Sequence, residues 1–338
     1  MRTWKDRMRH STRGLGFVAL VLIVAAIFGA LEPRFLSYVS LNGIARHMAA
    51  NGLAALGLTF VVIVRKFDLS IAGVAAFCAM SMGALIAAGW PLWSVILAGL
   101  ALGAVIGGIS GIAISRFGLP DIVTTIAVGS IGTGLAFIYT GGRSIFQNFF
   151  TSGITDLNDA KLMGLGVSMW LLVAIYALAW FVLSRTRTGL AFYATGENPM
   201  AAHFSGIATR RFVALAYVLC AMCTVLAVLL ILAESGTAET NKGANLMMPA
   251  YAGVFLGAAI MGGTSVIASF GGILLITMLL DGFALMGLPY YYSDGVVSLI
   301  LLIGVLAFSD GARGTLEALR FLFWPQKPTK PTAKGSDA

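Results

Sequence analysis

The sequence predicts an all-α integral membrane protein of about ten transmembrane helices with both termini on the cytoplasmic side. Three observations carry this prediction. First, 59% of the 338 residues are hydrophobic and only 11% are charged, whereas soluble domains carry roughly 25% charged residues. Second, apolar runs recur at the roughly 20-residue length that a helix needs to cross a bilayer. Long runs rather than short alternating segments indicate helices and not a barrel. Third, the cations sort by side. With the N-terminus inside, all but five of the 22 Lys and Arg residues fall on the inner face; Arg34, Arg46, Arg143, Lys161 and Lys242 fall outside. This is the positive-inside pattern, and one span more or fewer would spoil it. The net charge of +8 therefore reflects topology and attraction to anionic lipid rather than to nucleic acid.

Taken in order, residues 1–13 form a basic cytoplasmic N-terminus, and 14–309 form the transmembrane domain. The first span, near 14–31, follows basic residues as a signal peptide would. It is longer than a signal-peptide core and no A-x-A site follows it, so it reads as a retained span. The others are expected near 48–64, 71–89, 92–115, 121–140, 164–184, 212–233, 247–262, 265–287 and 294–309. Five spans per half are compatible with a 5+5 inverted repeat. In the fourth span Gly99, Gly103, Gly107 and Gly111 recur every four residues and Ser115 continues the row, which lets another helix approach backbone to backbone. The outer loop 141–163 mixes Gln147, Asn148, Asp156, Asn158 and Asp159 with Phe146, Phe149 and Phe150. Two readings stand for it, a fold over the outer surface or an interfacial aromatic belt with a loose turn. Cys78, Cys220 and Cys223 all fall inside spans and read as small packing residues, despite the Cys220-x-x-Cys223 spacing. Residues 310–338, rich in Pro and polar groups, are expected to be a largely disordered cytoplasmic tail.

The sequence lacks the motifs of a self-contained enzyme. No Lys follows a Gly, so no Walker A motif exists. His10, His47 and His203 lie far apart in the sequence, with no H-E-x-x-H pattern and no metal-ligand set, and no G-x-S-x-G elbow occurs. A chain of this kind moves or binds something, and any ATP chemistry must come from another polypeptide.

The inner connection between the sixth and seventh spans has helix signals of its own. Asn198 suits an N-cap and Pro199 the first helical position. Gly206 suits a left-handed stop. Met200, His203, Phe204 and Ile207 then share one face at i, i+3, i+4 and i+7, while Ala201, Ala202 and Ser205 keep the other side small. A helix of about two turns is marginal alone in water and needs a groove, from neighbouring spans or from a separate protein.

This segment resembles the inner-membrane permeases of ribose/xylose/arabinose-type ATP-binding-cassette sugar importers. The matching pattern runs from Arg187-Thr188-Gly189 through Gly196, Asn198, Ala201, Ala202 and Ser205-Gly206-Ile207. Similar stretches continue along the whole chain: Gly57-Leu58-Thr59-Phe60 with Phe67-Asp68-Leu69-Ser70, Phe117-Gly118-Leu119-Pro120-Asp121, Ile138-Tyr139-Thr140-Gly141-Gly142, and Leu285-Met286-Gly287-Leu288-Pro289. The resemblance implies a multi-pass permease subunit of the bacterial inner membrane that moves a monosaccharide or related small polyol. It implies a separate cytoplasmic ATPase that binds ATP and Mg, no cofactor in this chain, an extracytoplasmic substrate-binding protein, and a second permease copy or paralogue. It also implies that the helix near 197–206 couples to the ATPase, with Gly196, Glu197, Asn198, Ala201, Ala202, Ser205 and Gly206 as the coupling residues.

Some positions depart from the family pattern. Arg65-Lys66 precede Asp68 where small residues are usual, the turn Gly262-Gly263-Thr264-Ser265 is shortened, and Asp281 stands where Asn is common. Asn51, Thr59, Asp68, Ser70 and Asp281 are the candidate pathway residues, because an ionisable or polar group within a span marks either a route or a helix contact. For Asp68 and Asp281 the plainer role is at a helix end. An ion- or proton-coupled secondary transporter or channel that titrates Asp68 or Asp281 remains the alternative, and a scaffold subunit without a pathway is the third.

Overall fold

The computed structural model describes residues 4–308; the expected tail at 310–338 lies outside the described residues. The helices are α1 (Trp4–Leu31), α2 (Tyr38–Ile63), α3 (Ile71–Ala87), α4 (Leu92–Ser115), α5 (Asp121–Thr140), the short α6 (Asp156–Asp159), α7 (Val167–Arg185), α8 (Arg187–Glu197), α9 (Pro199–Phe204), α10 (Thr209–Ser235), α11 (Ala244–Met261), α12 (Val266–Leu285) and α13 (Tyr290–Phe308). Two short strands, β1 (Lys161–Leu162) and β2 (Leu165–Gly166), pair antiparallel before α7. Six helices, α2, α4, α5, α7, α10 and α12, are long and apolar enough to cross a membrane. Four shorter apolar stretches, Gly16–Leu31, Ile71–Ala87, Asn245–Met261 and Tyr291–Leu306, occupy the remaining expected positions.

Helix α2 is the axis of the bundle. It packs on α7, α10, α11 and α12, and 83% of its apolar window is buried. Leu53, Ala54, Ala55, Leu56 and Leu58 have no exposure at all. It begins ten residues before the expected position 48, at Tyr38. Hydropathy alone stops at Arg46-His47, but the Ser37 hydroxyl accepts the Ser40 amide and starts the helix earlier.

Close helix pairs are made by glycine, as the row on α4 implied. A Cβ at Gly103 would meet Val225 and the Ala221 carbonyl; at Gly107 it would meet the Tyr217 carbonyl and Val218; at Gly111 it would meet Ala214. All of these neighbours are on α10, so the expected backbone-to-backbone partner of α4 is α10. The same device joins α3 to α5 through Gly73 and Gly129, and α11 to α12 through Gly253 and Gly272. Cys78, Cys220 and Cys223 are free and buried.

The loop 141–163, expected outside, folds onto the helices. Ile145 bridges Ala238, Asn148 Nδ2 donates to the Ala87 carbonyl at 2.8 Å, and Phe149 and Ile154 are fully buried. Phe146 and Phe150 remain on the surface.

The glycine row yields a paired test. A side chain at Gly107 must displace α10 backbone, whereas a Cβ at the adjacent Gly108 meets only a Val218 methyl at 4.0 Å. Gly107→Val should lower the unfolding free energy in detergent by about 1–3 kcal/mol. Gly108→Val should leave it nearly unchanged, and equal effects would show that α4 and α10 are not so closely apposed.

Candidate functional site

Between α7 and α10 the chain forms two helices where the sequence pattern indicated one. Thr186 caps α8, its hydroxyl accepting the Gly189 amide at 3.3 Å. The stretch Arg187–Glu197 escaped the sequence reading because it has no long apolar run. Its buried face is short, formed by Ala191, Phe192 and Thr195. Phe192 packs its ring 5.7 Å from Phe60 of α2 and 5.2 Å from Phe212 of α10. Gly196 presses directly on the end of α2, where any Cβ would collide with the Ile63 carbonyl. The small residue in the motif is thus required by a contact 133 positions away in sequence, which no local pattern reveals.

Helix α9 follows at once and has the expected ends. Asn198 Oδ1 accepts the Ala201 amide at 2.9 Å. Ser205 Oγ donates to the Ala201 carbonyl at 2.9 Å, and Gly206 adopts φ +82°. The helix is shorter than two turns because the Ile207 amide closes back on the Ala202 carbonyl. Ala202 is the residue that faces inward, while Met200 and Phe204 are 65% and 81% exposed. Glu197 is exposed beside them. Pro199, Met200 and His203 form one side of an open cleft of about 650 Å³, and Thr209, Arg210 and Arg211 of α10 form the other. The elbow thus presents an exposed apolar pair, Met200 and Phe204, beside the two cations Arg210 and Arg211.

The candidate pathway residues do not make one site. Asp68 and Ser70 lie together in the buried turn between α2 and α3. The Ser70 amide and hydroxyl both donate to Asp68 Oδ1, at 2.9 and 2.5 Å. The peptide groups of this turn are taken up by three other helices. The Phe67 amide donates to Asp121 Oδ2 at 2.9 Å and the Leu69 amide to Thr125 Oγ1 at 3.1 Å, both on α5. The Tyr217 hydroxyl of α10 donates to the Phe67 carbonyl at 2.8 Å. The Tyr251 hydroxyl of α11 accepts the Asp68 amide at 2.8 Å and donates to its carbonyl at 2.9 Å.

Thr59 sits deeper on α2, its hydroxyl 2.7 Å from both the Ala55 carbonyl and the Ser269 hydroxyl of α12. Asn51 is half-buried two turns before it. Asp281 stands near the far end of α2, with Oδ1 2.6 Å from His47 Nδ1. His47 Nε2 is also 3.3 Å from Glu234 Oε1 of α10. The second Asp281 oxygen is buried and meets no donor among the described residues. From His47 to Ile63 the helix rises about 24 Å, so Asp281 and Asp68 mark opposite ends of the bundle. His47 and Glu234 were missing from the sequence-based set. The usable signal was position alone, since each is an ionisable residue near a span end.

One family and three relatives bear on this arrangement. The family described as "Branched-chain amino acid transport system / permease component" matches residues 40–306. The ribose import permease protein RbsC of Haemophilus influenzae is 28% identical over 303 residues, covering 88% of this chain and 93% of that protein. The protein of the same name in Escherichia coli is 26% identical, over 85% of this chain and 90% of its own length. The autoinducer 2 import system permease protein LsrC of an Enterobacter species is 31% identical over 303 residues, 87% of each chain.

The tyrosine clamp on the 64–70 turn has a measurable consequence. Tyr251→Phe keeps the ring, which is stacked 6.0 Å from Phe255, but leaves the Asp68 amide and carbonyl unpaired. The expected loss is about 1–3 kcal/mol of stability, with faster amide exchange confined to the turn. Unchanged exchange there would mean that the turn is held by other contacts.

Proposed function

We propose, from the fact that this chain belongs to the family of permease components of branched-chain amino acid transport systems, that it is the membrane subunit of an ATP-driven importer. Its cargo is a monosaccharide or a related small polyol, as the names of the ribose and autoinducer 2 relatives suggest. It spans the bacterial inner membrane ten times, with both termini in the cytoplasm, and pairs with a second permease copy or paralogue. An extracytoplasmic binding protein delivers the solute. A separate cytoplasmic subunit binds ATP and Mg and hydrolyses ATP.

The single observation that carries this reading is the α8–α9 elbow. Met200 and Phe204 are presented outward on a helix whose mount, Gly196, abuts the end of α2. A partner seated on α9 therefore pushes on the axis of the bundle. In this reading closure of the ATPase moves α9, the push passes through Gly196 to α2 and the 64–70 turn, and access switches from one side to the other. Gly196, Glu197, Asn198, Ala201, Ala202, Ser205 and Gly206 shape and hold that elbow. No covalent chemistry is needed in this chain.

The test is reconstitution in proteoliposomes with the partner ATPase and binding protein. Phe204→Asp and Met200→Asp should cut uptake and solute-stimulated ATP hydrolysis by about tenfold or more, the loss expected for exposed anchor residues of an interface, while purified yield and unfolding midpoint stay unchanged. Ala202→Trp should do the same by lifting the helix off its seat. Uptake that survives these changes would sink the coupling role. Uptake that needs no ATP and collapses with ionophores would favour the ion- or proton-coupled alternative.

A further inference from the structure

A cleft runs down the surface between α7 and α12. One wall is a single face of α7, with Val173, Tyr176, Ala177 and Trp180 at i, i+3, i+4 and i+7; Ile267 and Phe270 of α12 form the other. This apolar part encloses about 240 Å³. Beyond Trp180 it opens into a wider cavity of about 440 Å³, whose walls include Ser184, Thr186 and Ser265. At that mouth the Arg185 guanidinium lies 5.6 Å over the Trp180 ring. Arg187, two residues on, is exposed as well. The cleft is thus apolar along its length, the Tyr176 hydroxyl being spent on the Gly52 carbonyl, while its mouth carries hydroxyls and has Arg185 and Arg187 on either side of Thr186 in sequence.

We infer that this cleft is a binding site for one anionic glycerophospholipid, with an acyl chain between α7 and α12 and the phosphate at Arg185 and Arg187. The dimensions argue for a lipid chain. Val173 to Ser184 spans about 16 Å of helix, close to half of the roughly 30 Å hydrocarbon core, which is one leaflet. The charge argues for an anionic headgroup. Stacking on Trp180 holds Arg185 at the mouth of the cleft, where guanidinium groups pair well with phosphate. The site lies on the same face as Arg210 and Arg211, and basic pockets on that face of a membrane protein attract anionic lipid. Because Thr186 caps α8, a lipid seated there also braces the start of the elbow that carries α9. The inference rests on the proposed orientation, with this end of the bundle on the cytoplasmic side, and holds whichever solute is carried.

Native mass spectrometry of the purified full chain, with dioleoyl phosphatidylglycerol or dioleoyl phosphatidylcholine added to the detergent, tests it. Two cations at the mouth should give phosphatidylglycerol a preference of about 30-fold. Arg185→Gln with Arg187→Gln should bring that ratio near one. Ile267→Trp, which fills the slot from an exposed position, should reduce retention of phosphatidylglycerol by about tenfold. Equal retention of both lipids by the unaltered chain would overturn the inference, as would unchanged phosphatidylglycerol binding in both variants. Loss of a dimer in Ile267→Trp with lipid retention intact would show instead that a second copy covers the cleft. Should Ile267→Trp fail to fold, the charge pair and the lipid preference of the unaltered chain decide the matter alone.

Discussion

Irregular backbone enclosed in an apolar body must find a partner for every peptide group, because neither lipid nor hydrocarbon side chains supply one. Residues 68–70, with Asp68 and Ser70 buried, are such a stretch, and the helices around them and the adjoining Phe67 are arranged to meet that need. Asp121 and Thr125 bring α5 to the turn, Tyr217 brings α10 and Tyr251 brings α11. Each contributes an oxygen to a peptide amide or a hydroxyl proton to a carbonyl. Removing the Tyr251 hydroxyl leaves a buried donor and acceptor unpaired at a cost of roughly 1–3 kcal/mol, whereas the Asp121, Thr125 and Tyr217 bonds are at least partly open to their surroundings and cost less. Asp68 has a matching role within the turn, since its carboxylate takes the Ser70 amide and hydroxyl. A carboxylate used this way fixes backbone, and that local duty is a sufficient reason for its presence.

Between helices the binding force has a different origin. Lipid tails solvate Leu as well as a protein core does, so burying apolar side chains in a bilayer yields little, and close van der Waals packing must take its place. The glycine rows meet this requirement. They let α4 reach α10, α3 reach α5, and α11 reach α12 at distances that a Cβ would forbid. Helix α10 benefits twice, lying against the glycine face of α4 on one side and sending Tyr217 to the 64–70 turn on the other. The small residues and the buried tyrosines are parts of one solution, since the hydroxyls reach their carbonyls only when the backbones are this close.

What the sequence made legible was whatever repeats locally. Apolar runs located the long apolar helices, a four-residue period located the glycine face, and Asn198-Pro199 with Gly206 located both ends of α9. Elements without such a period were missed or misplaced. Arg187–Glu197 is a helix stabilised by three small or aromatic contacts to α2 and α10, so its pattern looks like a loop. The first ten residues of α2 are helical past the point where hydropathy fails. The candidate polar residues were chosen by type, and type does not encode position. Thr59 met Ser269, 210 residues away, Asp68 met Tyr251 across 183 residues, and Asp281 met His47 across 234. These pairings depend on topology, which a single sequence does not display.

The geometry also constrains how a push at one end of the molecule can be felt at the other. Helix α9 contacts the bundle through few residues, whereas Gly196 and Phe192 fasten α8 to the end of α2 on one side and Phe212 of α10 on the other. A displacement of α9 thus arrives at two helices that already share the 64–70 turn. Helix α10 ends at the His47, Glu234 and Asp281 cluster, and α2 passes it at His47, nine residues after its start. Packed interiors respond to displacement by switching between discrete arrangements rather than by bending. Midway along, α2 and α10 meet without room to spare, since a Cβ at Gly57 would run into the Cys220 backbone, whereas at the cluster they meet only through half-exposed side chains. The cluster, being partly exposed and joined through long side chains, is where the two helices can part with the least loss of packing.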